Sequence, residues 1–295
     1  MRIAIDAGHG YNTPGKRSPA FKNKVTNKYA GHIVTVEKGE CFREHVANAG
    51  VAYYLAKELE RCGVEVFKSG WSGLDGTKDL TDLSIVARQT AIRNAKCDYV
   101  ISIHYNAYGD AKTFNNAQGC ETFYHSYDYK AINGKAFATA IQSQLIDTFP
   151  EQVNRGVKNS ASFGMCNSLG MNVKASCLIE LAFMTNQQEA EDYFANPYAW
   201  YKYAVQIAKG ICQYAGINYI HYMPKVSVTP LSSVEDIAWL QHRLNCNGAN
   251  LVPDGVYGPK TAQAVKDFYD LKKWKRDENF SGYYAGLGTI KSLIG

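Results

Sequence analysis

Short apolar runs alternate with longer amphipathic stretches over the first two hundred residues, and this rhythm restricts the fold more than any other sequence feature. Apolar runs at 2–6, 64–67 and 99–104 are separated by helix-like stretches at 43–62 and 81–96. Strands that alternate with helices of this length are typical of βαβ units, in which parallel strands are covered by helices. The sequence therefore predicts an α/β fold with a mostly parallel sheet flanked by helices.

The same periodicity extends this pattern towards residue 215. Further strands are predicted at 119–125 and 175–182, and further helices at 129–148 and 189–214. The connection at 150–174 has neither a helical nor an alternating period, so we expect it to be a loop.

The pattern changes after Gly216, and a length of 295 residues is enough for about two domains. Residues 217–232 contain two prolines and no useful period, which is typical of a linker. This linker separates a first domain at 1–216 from a second at 233–295. In the second domain Pro259 opens a helix, so we expect a small helical module.

Positive charge is concentrated in one segment. Residues 11–40 carry six lysines and arginines against Glu37 and Glu40. The net charge of this segment is therefore +4, which is most of the chain's net charge of +5. We expect a basic surface loop there, either simply solvated or in contact with an anionic polymer. Basic residues form no stripe with interleaved aromatic residues, so the sequence argues against nucleic-acid binding.

The chain carries no sign of a membrane segment or of a disulfide framework. Asp6 interrupts the N-terminal apolar run, and no run approaches the roughly 18 apolar residues that a spanning helix needs. We therefore expect neither a signal peptide nor membrane insertion. The eight cysteines form no C-x-x-C pair, which favours reduced thiols over disulfides or a cysteine zinc site. The oligomeric state stays open.

Three apolar strands carry an ionisable residue near the point where the strand ends. His9 follows the first strand, His104 ends the strand at 99–104, and Glu180 lies within the strand at 175–182. Groups beyond the carboxyl ends of parallel strands converge on one crevice. A carboxylate inside an apolar run is costly to desolvate, so Glu180 needs a cation or hydrogen-bond donors.

A metal ion accounts for all three residues. Two neutral imidazoles and a carboxylate are a ligand set that Zn²⁺ accepts when one position stays open for water. Glu44, at the start of the helix at 43–62, can supply the carboxylate, which gives the set His9, Glu44 and His104. The long separations leave the alternative that these are ordinary structural residues. His32 and His125 are reserve ligands, whereas the remaining histidines are more typical of surface or packing positions.

The motifs around these residues resemble the zinc-dependent N-acetylmuramoyl-L-alanine amidases of the third amidase family, over about residues 1–215. The matching motifs are Asp6-Ala-Gly-His-Gly10, Glu44-His-Val-Ala-Asn48, Ser102-Ile-His-Tyr-Asn-Ala107 and Leu178-Ile-Glu-Leu-Ala-Phe-Met-Thr-Asn186, with Arg88 and Arg155-Gly-Val-Lys158 in family order. The resemblance implies that His9, Glu44 and His104 hold zinc and that Glu180 is the catalytic glutamate. The implied reaction is hydrolysis of the amide between N-acetylmuramic acid and L-alanine of the peptidoglycan stem peptide. Substrate-binding residues are unknown at this stage.

Two departures from that family stand out. The basic segment 11–40 is longer than expected, which leaves substrate specificity open. Lys174-Ala-Ser-Cys177 lacks the proline that usually precedes the glutamate strand.

The second domain carries a resemblance of its own. Segments Trp239-Leu-Gln-His-Arg-Leu-Asn245 and Asp254-Gly-Val-Tyr-Gly-Pro-Lys-Thr261 resemble the type 1 peptidoglycan-binding domain. This resemblance implies a small three-helix domain and bacterial peptidoglycan as the partner.

The leading hypothesis is therefore a two-domain peptidoglycan amidase. A zinc peptidase that cuts within the stem peptide and a non-catalytic wall-binding protein are the alternatives. Because the substrate lies outside the cell and no signal peptide is expected, we predict synthesis in the cytoplasm and action at the wall after release. A phage endolysin or a lytic cell-wall enzyme fits that route, and the host and stem-peptide chemistry stay open.

Overall fold

The structure is a computed structural model that describes residues 1–125 and 131–294, so the predicted helix start at 129 lies outside the described residues. The chain forms two compact units. The first consists of Met1–Val25 and Thr35–Ile220, and the second of Thr26–Val34 and His221–Gly295.

A six-stranded sheet forms the centre of the first unit, in the order β4-β1-β5-β8-β6-β7. All neighbours are parallel except β6 and β8, which are antiparallel. The prediction of a mostly parallel sheet is confirmed. The strands of the chain are β1 Arg2–Ala7, β2 Val25–Tyr29, β3 His32–Val36, β4 Glu65–Ser69, β5 Tyr99–Asn106, β6 Cys120–Tyr124, β7 Asn154–Asn159 and β8 Ala175–Phe183.

Helices flank this sheet. Helix α6 packs against both α1 and α3, while Ile92 of α2 packs against Ala4 of β1 and Val100 of β5. The helices of the first unit are α1 Glu44–Arg61, α2 Ile85–Asn94, α3 Ala131–Leu145, α4 Ser168–Met171, α5 Gln187–Glu189 and α6 Pro197–Ala215.

Two elements differ from the expected loops. The edge strand β7 lies inside the connection predicted to be irregular at 150–174. The basic segment 11–40 contains the β2–β3 hairpin, whose turn residues Ala30 and Gly31 have φ values of 46° and 78°. Two central residues with positive φ are typical of a type I′ turn, but alanine is not a residue that signals such a turn in a sequence.

The hairpin also changes the predicted division of the chain. The backbone N–H groups of Ala30 and Gly31 donate to the carbonyl oxygens of Pro253 and Asp254 at 3.0 Å each. Residues 26–34 therefore cluster with the second unit, although the sequence assigned them to a continuous first domain at 1–216.

The C-terminal part of the second unit is helical, as predicted. Its core contains Ile237, Leu240, Val265, Phe268 and Ile290. In the described part of this unit the helices number three: α7 Val234–Asn245, α8 Pro259–Leu271 and α9 Leu287–Ser292. Across the described residues of both units, every helix is too short or too polar to cross a membrane. All eight cysteines are free thiols.

Candidate active site

The turn after β1 carries His9 and receives the ring of His104. The Gly8 N–H donates to the carbonyl of Ile103 at 3.0 Å, which fixes the turn against β5. A Cβ atom at Gly8 would lie 2.1 Å from Cε1 of His104, so only glycine leaves room for that imidazole. His9 itself has a φ of 64°, an uncommon conformation for a non-glycine residue.

The structure brings the three predicted metal ligands together. His9 Nε2 lies 3.4 Å from Oε2 of Glu44, and His104 Nδ1 lies 3.1 Å from its Oε1. One ligand atom from each residue lies within 4.8 Å of the other two. Tetrahedral zinc with bonds of about 2.1 Å separates its ligand atoms by about 3.4 Å, so this donor set fits a zinc ion in type and size.

The electrostatics of the cluster favour a cation beside Glu44. Burial disfavours the charge on Glu44, but the hydrogen bond with His104 and the proximity of His9 outweigh it and lower its pKa to about 2. Burial lowers the pKa of His9 to about 4, which leaves the neutral imidazole that binds metals. For His104, Glu44 outweighs burial and raises the pKa. This carboxylate therefore attracts positive charge where the ligand atoms converge.

Glu180 lies directly opposite His104, in register on the neighbouring strand β8. Its Oε2 atom is buried and has no hydrogen-bond partner among the described residues. Burial raises its pKa to about 8, and the charge of Glu44 adds to the rise while His104 opposes it. A carboxyl group with an unused oxygen and a raised pKa is typical of a group that accepts and donates protons.

Arg88 holds the His9 turn in place through a network of hydrogen bonds. Its side chain is 2% exposed, and all five of its N–H groups have acceptors. The acceptors are Asp6 Oδ1 at 2.8 Å, the carbonyls of Ala7 at 2.8 Å, His9 at 2.6 Å and Leu83 at 3.0 Å, and Asp82 Oδ1 at 3.2 Å. The guanidinium thus connects the end of β1 to the start of α2.

Two further positioning residues on α1 were missed by sequence reasoning. His45 is buried, with Nδ1 2.8 Å from the carbonyl of Gly8 and Nε2 3.2 Å from Asp79 Oδ2. Asn48 donates to the same carbonyl at 3.1 Å. Both anchor the first turns of α1, which carry Glu44, to the His9 turn. The reserve ligands His32 and His125 do not join the metal cluster.

An open cleft of about 380 Å³ leads to this cluster. His9, His104 and Asp82 form its polar side, and Leu83, Ile85 and Met165 form an apolar wall. The arrangement can hold one metal ion at the bottom of a cleft, next to the carboxyl group of Glu180, whose Oε2 atom is buried.

Comparisons with known proteins identify the family of the chain. Residues 3–213 match the N-acetylmuramoyl-L-alanine amidase family, and residues 233–268 match a peptidoglycan binding domain. The chain is 30% identical over 212 residues to YqiI of Bacillus subtilis (strain 168), a match that covers 72% of this chain and 84% of YqiI.

Solved amidase structures share the fold of the first unit. The catalytic domain of CwlV from Bacillus (Paenibacillus) polymyxa superposes with a TM-score of 0.55 at 21% identity, covering 74% of this chain and 99% of that domain. AmiC2 of Nostoc punctiforme superposes with a TM-score of 0.54 at 19% identity, covering 73% of this chain and 97% of that chain.

Proposed function

Because the chain belongs to the N-acetylmuramoyl-L-alanine amidase family and is thus a peptidoglycan amidase, we propose that its chemistry depends on zinc held by His9, Glu44 and His104. The convergence of these three side chains, with the unpaired oxygen of Glu180 on the adjacent strand, is the observation that carries the proposal. Bound zinc would polarise the scissile carbonyl and lower the pKa of a bound water from about 15.7 to near 7.

In this proposal Glu180 moves the proton. Its carboxylate takes a proton from the attacking water and then gives it to the nitrogen of L-alanine as the amide bond breaks. The products are a free carboxylate on the lactyl group of N-acetylmuramic acid and a stem peptide with an N-terminal alanine. General acid–base catalysis of this kind contributes about 10² to 10⁴ in rate.

Digestion of purified peptidoglycan tests this reaction. An amidase releases peptides with N-terminal alanine and no new reducing sugars, and a chelator should stop the release. New amino termini at other residues would indicate the zinc peptidase instead, and wall binding without any new terminus would indicate a binding protein. His9→Ala should lose zinc, whereas the matched control His125→Ala should keep it.

We further propose that the chain acts at the bacterial wall, as an endolysin or a lytic cell-wall enzyme. The match of residues 233–268 to a peptidoglycan binding domain supports this placement, because such a module keeps the catalytic unit on an insoluble substrate. Purified protein added to bacterial cells with a permeabilised outer surface should lower their turbidity. The lytic role would be refuted if the turbidity of the cells stayed unchanged although the protein digests purified walls from the same bacterium.

A further inference from the structure

A buried carboxylate, that of Glu121, lies beside Glu180 on the strand farther from the metal ligands. Glu121 of β6 pairs directly with Glu180 of β8, and Glu180 pairs with His104 of β5. Directly opposed residues of neighbouring strands have their side chains on the same face of the sheet. His104, Glu180 and Glu121 therefore form a row across three strands.

Two cations from the edge strand converge on Glu121. Its Oε2 accepts from Nε of Arg155 at 2.9 Å and also from Nζ of Lys158, while its Oε1 accepts from Nδ2 of Asn106 at 2.7 Å. Glu121 is buried, but the side chains of Arg155 and Lys158 are 35% and 40% exposed. One carboxylate thus anchors two partly exposed cations next to the row, and the carboxyl group of Glu189 also lies within electrostatic reach of Arg155.

Arg155 also has N–H groups that make no hydrogen bond to the described residues. Its guanidinium uses only Nε against Glu121, and among the described residues its two terminal nitrogens have no partner. The guanidinium carbon lies 5.0 Å from the centre of the Phe183 ring. This cation–π contact holds the guanidinium plane, and with it the fork formed by the two terminal nitrogens, in one orientation. A fixed guanidinium with two free nitrogens matches the geometry of a carboxylate, which it binds bidentately.

We propose that Arg155 and Lys158 bind a carboxylate of the stem peptide and so determine specificity for acidic stem peptides. This inference rests on the proposed function, which puts the scissile amide at the metal ligands and within reach of Glu180. Strands lie about 4.8 Å apart, so β7 lies about 10 Å beyond β8, a distance that about three extended peptide residues span. A carboxylate on the residue that follows L-alanine lies within this reach.

The test compares two small substrates, N-acetylmuramoyl-L-alanyl-D-glutamate and its diamide. Their dissociation constants are measured by calorimetry with the zinc-loaded full chain carrying Glu180→Ala, so that binding is read without turnover. The dicarboxylate should bind about tenfold more tightly than the diamide, because hydrogen bonds to a charged group are stronger than those to a neutral amide and this site is partly exposed.

Variants assign this preference to the two cations. Arg155→Gln and Lys158→Gln, each added to Glu180→Ala, should reduce the preference to twofold or less. Arg155→Lys, which keeps a charge against Glu121 but has no fork, should give an intermediate value. Lys174→Gln is the matched control: Lys174 lies at the opposite end of β8, where it pairs with Asp98, and its loss should leave the preference unchanged.

The two possible failures are distinguishable. Equal binding of dicarboxylate and diamide, or a preference that survives both glutamine variants, overturns the carboxylate site even where the wild-type enzyme cuts both compounds. Failure of the zinc-loaded wild type to release an alanine N-terminus from either compound refutes the proposed function instead. A preference that depends on Arg155 supports the carboxylate site in either case.

Discussion

Arg88→Ala should destabilise the first unit and weaken metal binding together. The guanidinium is the cationic partner of Asp6, a carboxylate that is 1% exposed. Removing one partner of a buried ion pair costs about 3–5 kcal/mol because the other charge stays buried without compensation. Asp6 also accepts from the hydroxyls of Ser69 and Ser102, each at 2.6 Å, so we expect the lower end, about 3 kcal/mol.

The effect on the metal follows from the other hydrogen bonds of Arg88. The guanidinium holds the carbonyls of Ala7 and His9, which set the backbone of the ligand turn. Loss of groups that orient metal ligands typically weakens metal affinity 10- to 100-fold. Because Arg88 holds the main chain of His9 and not its imidazole, we expect about tenfold.

Two measurements check this prediction. A loss of about 3 kcal/mol should lower the thermal midpoint of a unit of this size by roughly 6–12 °C, which calorimetry on the zinc-free protein measures. Competition with a chromophoric chelator measures the zinc dissociation constant. Arg93→Ala is the control on the same helix, because its side chain is exposed and its one acceptor among the described residues is the carbonyl of Gly170.

An Arg88→Ala protein with wild-type midpoint and zinc affinity would refute the reasoning. Where that variant fails to fold, Arg88→Lys keeps the charge and at most three of the five hydrogen bonds. It should then show a smaller loss of stability together with a measurable loss of zinc affinity. Unchanged zinc affinity in a destabilised Arg88→Lys would show that the network supports the fold alone.

Three further changes have defined outcomes. Glu180→Gln should lower kcat by about 10² to 10⁴ while one zinc per chain remains by mass spectrometry, and near-normal turnover would contradict its role. Gly8→Ala should weaken zinc binding at least about tenfold, since its Cβ would displace His104, whereas Gly73→Ala, where no atom lies within 4 Å, should not. Glu44 raises the pKa of His104, so zinc affinity should be constant above that pKa and fall by up to about tenfold per pH unit below it; an affinity independent of pH from 8 to 5 would refute this competition.

The central sheet could be predicted because its inner strands are buried on both faces and therefore form continuous apolar runs. Strands β1 and β5 are of this kind. The edge strand β7 has the sequence Asn-Arg-Gly-Val-Lys-Asn, with one apolar residue, and within the described part of the chain it pairs with β6 alone. Its conformation depends on a partner distant in the sequence, which no local period reveals.

The ionisable residues of the site could be predicted because they lie at the ends of apolar strands, where a charged side chain needs a partner. The residues that hold these ligands in position could not be predicted from the sequence. The acceptors of Arg88 include three backbone carbonyls, and any residue type supplies a carbonyl. The sequence pattern places His45 among the histidines typical of surface or packing positions, because nothing local to α1 reveals that its ring contacts the carbonyl of Gly8.

The two opposed glutamates show how environment divides one chemistry into two roles. Glu121 and Glu180 are directly paired, but buried Glu121 has three donors and Glu180 has a buried oxygen with none among the described residues. A saturated carboxylate is a fixed charge that can hold cations in position, while one with an unused oxygen can exchange a proton. Since β6 and its parallel neighbour β7 run antiparallel to the other four strands of the sheet, this reversed pair sets Glu121 beside Glu180 and places Arg155 and Lys158 next to Glu121.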